Sequence, residues 1–388
     1  MPTLQLPTAD RRMESYQTRE PRSWEVKSRG NFDRIALAAA HVVADPIANI
    51  DPSIESAIDW ETTIAYRRYL WSCGLGVAEA MDTAQRGMGL DWGHALKLIE
   101  MSVDASREIA GAVVFSGAGT DHLALDSSIG VDDVIAAYEQ QIAAIEKVGG
   151  RIIVMASRAL ASIARSPDDY VKVYGRILRQ VREPVIIHWL GDMFDPGLRG
   201  YWGSSELPVA TEACLSVLSE HSGRVDGIKV SLLDKDHEIS MRRRLPSGVR
   251  MYTGDDFNYA ELIAGDSEGY SDALLGIFDA IAPAASSALD AHARGEVGLF
   301  HEILAPTVPL ARHLFGEPTR FYKTGIVFLA YLNGHQSHFT MIGGQQSARS
   351  LIHLAQTFKL ADAAGLLRDP DAAAARMRDV LRVHGVEV

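Results

Sequence analysis

Cysteine is almost absent from this chain: Cys73 and Cys214 are the only two in 388 residues. Neither sits in a CxxC spacing, so no disulfide scaffold is available. Both lie in apolar stretches, LWSCGLGV and EACLSVL, which reads as two small buried hydrophobes in a reducing compartment. Long hydrophobic runs are missing too. No window approaches the roughly 18 apolar residues of a membrane-spanning helix, and MPTLQLPTADRRMESYQ at the start has no apolar signal core. A soluble, cytoplasmic protein with no membrane partner is expected. Positive charge is in deficit: 38 Lys and Arg stand against 50 Asp and Glu, a formal net charge of -12. Such a surface repels nucleic acid, and the densest basic run, Arg242-Arg243-Arg244, is too short to reverse that locally.

What is present is core material, 47% hydrophobic residues, arranged in a repeating texture. Short apolar runs at 34–43, 76–81, 108–117, 150–157, 184–190, 226–231, 250–254 and 268–274 read as strands. Between them, 60–73, 92–106, 132–148, 167–181, 208–222 and 257–265 place apolar residues at helical spacing. Eight strands alternating with helices count out to an α/β fold, a (β/α)8 TIM barrel. The competing doubly wound sheet needs a Gly-rich phosphate turn after its first strand, and AHVVADPIANI has none. After Leu275 the pattern is helical throughout. The expected organisation is an N-terminal arm or hairpin (1–33), a barrel (34–280) and a C-terminal helical subdomain packed on it (281–388).

In such a barrel the reactive groups stand at the C-terminal ends of the strands. Lys229, inside Val225-Asp226-Gly227-Ile228-Lys229-Val230-Ser231, is the most informative of them. A lysine within a buried strand is costly to keep charged, so its amine becomes available to attack a carbonyl carbon and form an imine. The other reading is a strand-end lysine that reaches solvent or pairs with Asp226 or Asp255. His188, at the end of the fifth strand, titrates near working pH and is the candidate for moving protons, with Ser157 of the fourth strand as the alternative. His41, Asp82, His122, His188 and Asp192 are ligand types for a divalent metal at the same mouth, although no HxH or HExxH spacing supports one.

GIKVS, followed by Gly254-Asp255-Asp256 and by Gly265-Asp266-Ser267-Glu268-Gly269-Tyr270-Ser271, resembles the dihydrodipicolinate synthase / N-acetylneuraminate lyase superfamily of class I aldolases. The resemblance is specific from 225 to 279 and topological over 34–380, and it points to a divergent branch. It implies a Schiff base on Lys229, no organic cofactor, and assembly as a homodimer or homotetramer. Two departures stand out. Where the family's second strand ends in G-T-T-G-E, this chain has Ala80-Met81-Asp82-Thr83-Ala84-Gln85, and its fourth strand, Val154-Met155-Ala156-Ser157-Arg158-Ala159, lacks the family's tyrosine. An aspartate in the second strand repels a substrate carboxylate, whereas Asp82, Thr83, Asp255 and Asp272 suit hydroxyl groups. Arg158, pointing inward, would clamp a carboxylate instead. Ser231, Gly254 and Ser271 complete the expected substrate-binding set. The function expected is a lyase or aldolase acting on a small keto acid or keto sugar in carbohydrate catabolism. The alternatives are a metal-dependent aldolase or epimerase and a catalytically degenerate sugar-binding barrel.

Overall fold

The computed structural model describes residues 1–26, 32–125 and 128–386, and at residues 83 and 84 the backbone only. The chain forms two compact units, one from residues 34–40 and 75–275, the other from 1–33, 41–74 and 276–388.

The first unit contains eight strands: β1 (Ala36–Ala39), β2 (Gly76–Glu79), β3 (Val114–Ala118), β4 (Arg151–Val154), β5 (Val185–Leu190), β6 (Val225–Ser231), β7 (Arg250–Thr253) and β8 (Asp272–Leu275). Each pairs in parallel with the next, and β8 returns to β1, so the sheet closes into a (β/α)8 barrel. The helices that follow include Trp92–Arg107, Val131–Lys147, Pro167–Leu178 and Leu207–Glu220. Their starts are legible chemistry. Before Pro167–Leu178, the Ser166 hydroxyl accepts from the Asp168 N–H, proline occupies the first turn, and Asp168 and Asp169 complement the positive end of the helix.

Side chains alternate across a strand, so one residue in two faces the barrel interior. Leu37, Phe115, Ile153, Ile186, Tyr252 and Leu274 meet there in a buried cluster. A side chain on Gly227 would collide with the Tyr252 ring, which places Gly227 on the same inner face. Period two then carries Lys229 and Ser231 inward along β6, His188 inward beside Ile186 on β5, and Gly254 inward beyond Tyr252. At the N-terminal end, the Tyr252 hydroxyl donates to Asp226 at 2.5 Å and Arg151 stands 3.6 Å from the same carboxylate.

Two strands start later than the sequence suggests. The stretch before β3 turns at Gly111, whose φ of +83° is open to glycine without strain, and β3 begins at Val114. Residues Asp266–Gly269 close a tight turn, with Asp266 accepting from the Glu268 and Gly269 N–H groups, so β8 begins at Asp272 rather than at 268. Two further helices, Arg158–Ile163 and Lys235–Arg242, start at the side-chain caps of Ser157 and Asp234.

In the second unit, the strands Thr3–Pro7 and Met13–Gln17 form an antiparallel hairpin that buries Leu4 and Leu6. Tyr16 donates to the Asp362 carboxylate at 2.7 Å, and Trp24 donates to the Gly365 carbonyl at 3.0 Å, joining the N-terminal segment to the C-terminal helices. Among those helices, Tyr322–Leu332 is buried along its whole length. No helix among the described residues is long and apolar enough to cross a membrane.

Candidate active site

Lys229 is 7% exposed inside the barrel wall. In register it faces His188 on β5 and Tyr252 on β7. Its aliphatic arm lies over Gly254: a Cβ there would come within 2.8 Å of Lys229 Cε and overlap the Ser231 hydroxyl. Glycine at 254 is therefore a matter of room for the lysine and the serine, not of turn geometry. His188 is 3% exposed, and its Nε2 lies 3.1 Å from Ser231 Oγ. Burial, and then the neighbouring Lys229 charge, push the imidazole well below its usual range, so it is neutral at neutral pH. Lys229, His188, Ser231 and Gly254 are thus brought together as one constellation.

A cavity of about 210 Å³ opens at the C-terminal ends of β2 to β5, lined by Arg86, Gly119, Thr120, Asp121, Met155 and Arg158 among others, but not by Lys229 or His188. Arg158 faces it and donates from Nε to Asp195 at 2.6 Å. Arg86 was not anticipated. It donates to the carbonyls of Ala80 and Gly117, both at 2.8 Å, and to Gln141; burial pushes the Asp121 carboxyl up, but the Arg86 charge and hydrogen bond, with hydrogen bonds from Gln141 and the backbone, hold it below the usual range. Ser157 is buried between Ala156 and Arg158, which line this cavity. Its hydroxyl caps the helix Arg158–Ile163 by accepting from Leu160 N–H and pairs with the Thr120 hydroxyl at 2.6 Å. Just past the ends of β2 and β6, Ala80 and Leu233 hold positive φ angles of 48° and 55°. Non-glycine residues in that region are strained and concentrate at functional sites.

Other expected site residues fall elsewhere. Asp255 is buried, but its carboxylate accepts from Phe257 N–H, Asn258 N–H and the Asn258 side chain, which commits it to its own turn. Asp272 is corrected from the mouth to the start of β8, where it accepts from the Ile35 N–H and pairs with Arg250 at 3.1 Å. Ser271 is turned toward the helix Lys235–Arg242, donating to Glu238 at 2.7 Å. Asp82 is buried at the end of β2, and the Thr83 side chain lies outside the described residues. The conceivable metal ligands are dispersed. His41 and Asp279 both belong to the second unit and bind each other there, His122 contacts Gln140 and Gln141, and Asp192 pairs with Arg199. Among the described residues, no group of three or more His, Cys, Asp or Glu is placed to hold a metal ion.

With the fold and this geometry established, comparison adds a family. The model described as "Protein of unknown function (DUF993)" matches residues 4–386. The chain belongs to this family. No curated protein matches the sequence. Among solved structures, the chain is similar to YagE, a prophage protein of the dihydrodipicolinic acid synthase family from E. coli K12 in complex with pyruvate, with a TM-score of 0.65 and 13% identity over 86% of this chain and 99% of that one. It is similar to dihydrodipicolinate synthase from Cyanidioschyzon merolae with lysine bound, at 0.64 and 15% over 86% and 99%. The enzyme from Thermotoga maritima gives 0.62 and 14% over 86% and 99%. The resemblance expected from GIKVS and the segments after it is therefore shown at the level of the fold. The DUF993 chain shares its barrel fold with these dihydrodipicolinate synthases.

Proposed function

We propose that this protein is a Schiff-base-forming lyase of the class I aldolase type, acting on a small oxo compound with Lys229 as the amine. The observation that carries the reading is the placement of Lys229: buried on the inner face of β6, its arm over Gly254, in register with a neutral histidine. A buried lysine amine adds to a carbonyl carbon, and the resulting iminium withdraws electrons from the adjacent C–C or C–O bond, so no organic cofactor is required. The fold shared with a barrel solved in complex with pyruvate supports a 2-oxo compound as the class.

Arg158 at the neighbouring cavity favours an oxo acid over a neutral keto sugar, since two of the aspartates that suited hydroxyl groups, Asp255 and Asp272, are committed elsewhere. A place in carbohydrate catabolism and assembly as a homodimer or homotetramer remain part of the proposal, the second checked by light scattering. The deciding experiment is borohydride reduction with pyruvate and with dihydroxyacetone, followed by peptide mass measurement. The expected result is a single adduct on the peptide carrying Lys229, absent from Lys229→Ala. No adduct with any oxo compound tried would overturn the reading.

A further inference from the structure

Within the constellation around Lys229, the histidine has one way out. His188 is 3% exposed, and its Nδ1 is sealed without a hydrogen-bond partner among the described residues. Its Nε2 meets the Ser231 hydroxyl at 3.1 Å. A histidine that acts as a base is usually held in one tautomer by a partner on its second nitrogen. His188 has none there, and the Ser231 hydroxyl is the hydrogen-bond partner its ring does have among the described residues. The hydroxyl in turn stands beside the lysine: Ser231 Oγ and Lys229 Cε both crowd the position a Cβ of Gly254 would take. Two residues apart on one strand, they face the same way.

We infer that Ser231 carries protons to and from the Lys229 amine and that His188 stores them behind it, an assignment that rests on the imine reading above. On substrate entry the Lys229 ammonium passes a proton to Ser231 Oγ while the serine proton moves to His188 Nε2. The neutral amine then adds to the carbonyl carbon: the N–C bond forms and the C=O π pair moves to oxygen. A proton passes from nitrogen to that oxygen through Ser231. The stored proton returns from His188 through Ser231 to the hydroxyl as the C–O bond breaks, giving water and the protonated imine. Protons and charge balance, and His188 ends as it began. Ser231 acts on the reacting nitrogen, whereas His188 is a positioning residue that works through Ser231.

The test times borohydride trapping with pyruvate in the wild type, Ser231→Ala, His188→Gln and the double variant. Glutamine can still donate to Ser231 but cannot store a proton, which separates the relay from simple packing. Each single variant is expected to reach the wild-type extent of adduct about 10²-fold more slowly, the size of a general acid–base contribution. The double variant should be no slower than either single one, because the two residues form one path. A solvent deuterium effect on the trapping rate should be present in the wild type and lost in Ser231→Ala. Wild-type trapping rates in either single variant, or losses that multiply in the double, would overturn the relay while leaving the imine intact. If the wild type itself gives no adduct, the lysine reading falls and takes the relay with it. Should Ser231→Ala not fold, His188→Gln decides alone.

Discussion

Arg158 Nε donates to the Asp195 carboxylate across 2.6 Å, and the two partners are unequally placed: 41% of the arginine side chain is exposed against 7% of the aspartate. Beneath the guanidinium lies Gly87, where a Cβ would come 2.5 Å from Arg158 Nη2. The arginine is thus anchored on one edge and laid flat at the cavity. A charge-assisted hydrogen bond contributes about 1.5–3 kcal/mol, so Arg158→Ala should raise KM for oxo acids roughly 10–100-fold. Neutral oxo compounds should be nearly unaffected. Steady-state kinetics on pyruvate and on dihydroxyacetone check this, and equal losses on both would assign Arg158 to holding Asp195 instead.

Glu238 offers a pH test away from the chemistry. Burial raises its carboxyl to about 8, against hydrogen bonds from Ser271 at 2.7 Å and Thr253 at 3.0 Å that favour the charged form. The folded chain therefore holds a proton that the unfolded chain loses near pH 4.5. Stability from this group is complete below that value and declines as pH rises through about 8, by a few kcal/mol in all. Glu238→Gln, which keeps the neutral shape, should flatten this part of the profile. Urea unfolding of both proteins at pH 6 and pH 9 should show the variant gaining on the wild type at the higher pH. An unchanged difference would remove Glu238 as the cause.

Much of the barrel was legible because a parallel strand buried on both faces leaves a continuous apolar run, as PVIIHWL does for β5. The start of β8 misled for a physical reason: Glu268 and Gly269 belong to a turn closed by Asp266, and only Asp272 begins the ladder. The helix Lys235–Arg242 was passed over because KDHEISMR buries only Glu238 and Met241 and shows little apolar periodicity. At the site, Lys229 and His188 announced themselves by interrupting apolar strands. Asp255 looked like a binding residue, yet Asn258 three positions on signalled a side-chain-closed turn. Arg86 carried no such signal. Its partners Gly117, Asp121 and Gln141 come from distant segments that only closure of the barrel brings together.

Gly254 tests whether the lysine needs its space. The position a Cβ would take is 2.7 Å from the Val230 carbonyl and 2.8 Å from Lys229 Cε, and the carbonyl, as backbone, cannot give way cheaply. Gly254→Ala should cost about 1–3 kcal/mol of stability through overpacking and displace the lysine arm. The expected outcome is a folded protein by circular dichroism with a lowered urea midpoint and a trapped adduct formed at least tenfold more slowly. Wild-type trapping would show that the amine reaches its substrate by another path.

Asp279 is the ionic centre of the second unit. It accepts from the His41 backbone N–H at 2.9 Å, lies 3.1 Å from His41 Nδ1 and 3.3 Å from Lys323 Nζ, and is fully buried with both. Burial pushes its carboxyl up, but the charges of His41, Lys323 and Arg67, together with the His41 hydrogen bonds, outweigh it and hold the group well below the usual carboxylate range. Its contribution to stability is therefore complete above the ordinary value of 3.8 and fades as pH falls below that. Removing one member of a buried pair leaves the other uncompensated, at about 3–5 kcal/mol, so Asp279→Asn should be strongly destabilising at pH 7. Lys323→Met should cost less than Asp279→Asn, because the carboxylate keeps His41. The double variant should cost less than the two single losses combined, since the ion pair leaves as a unit. Urea midpoints of the three variants at pH 7 measure this, and strict additivity would show that Asp279 and Lys323 do not act as a pair.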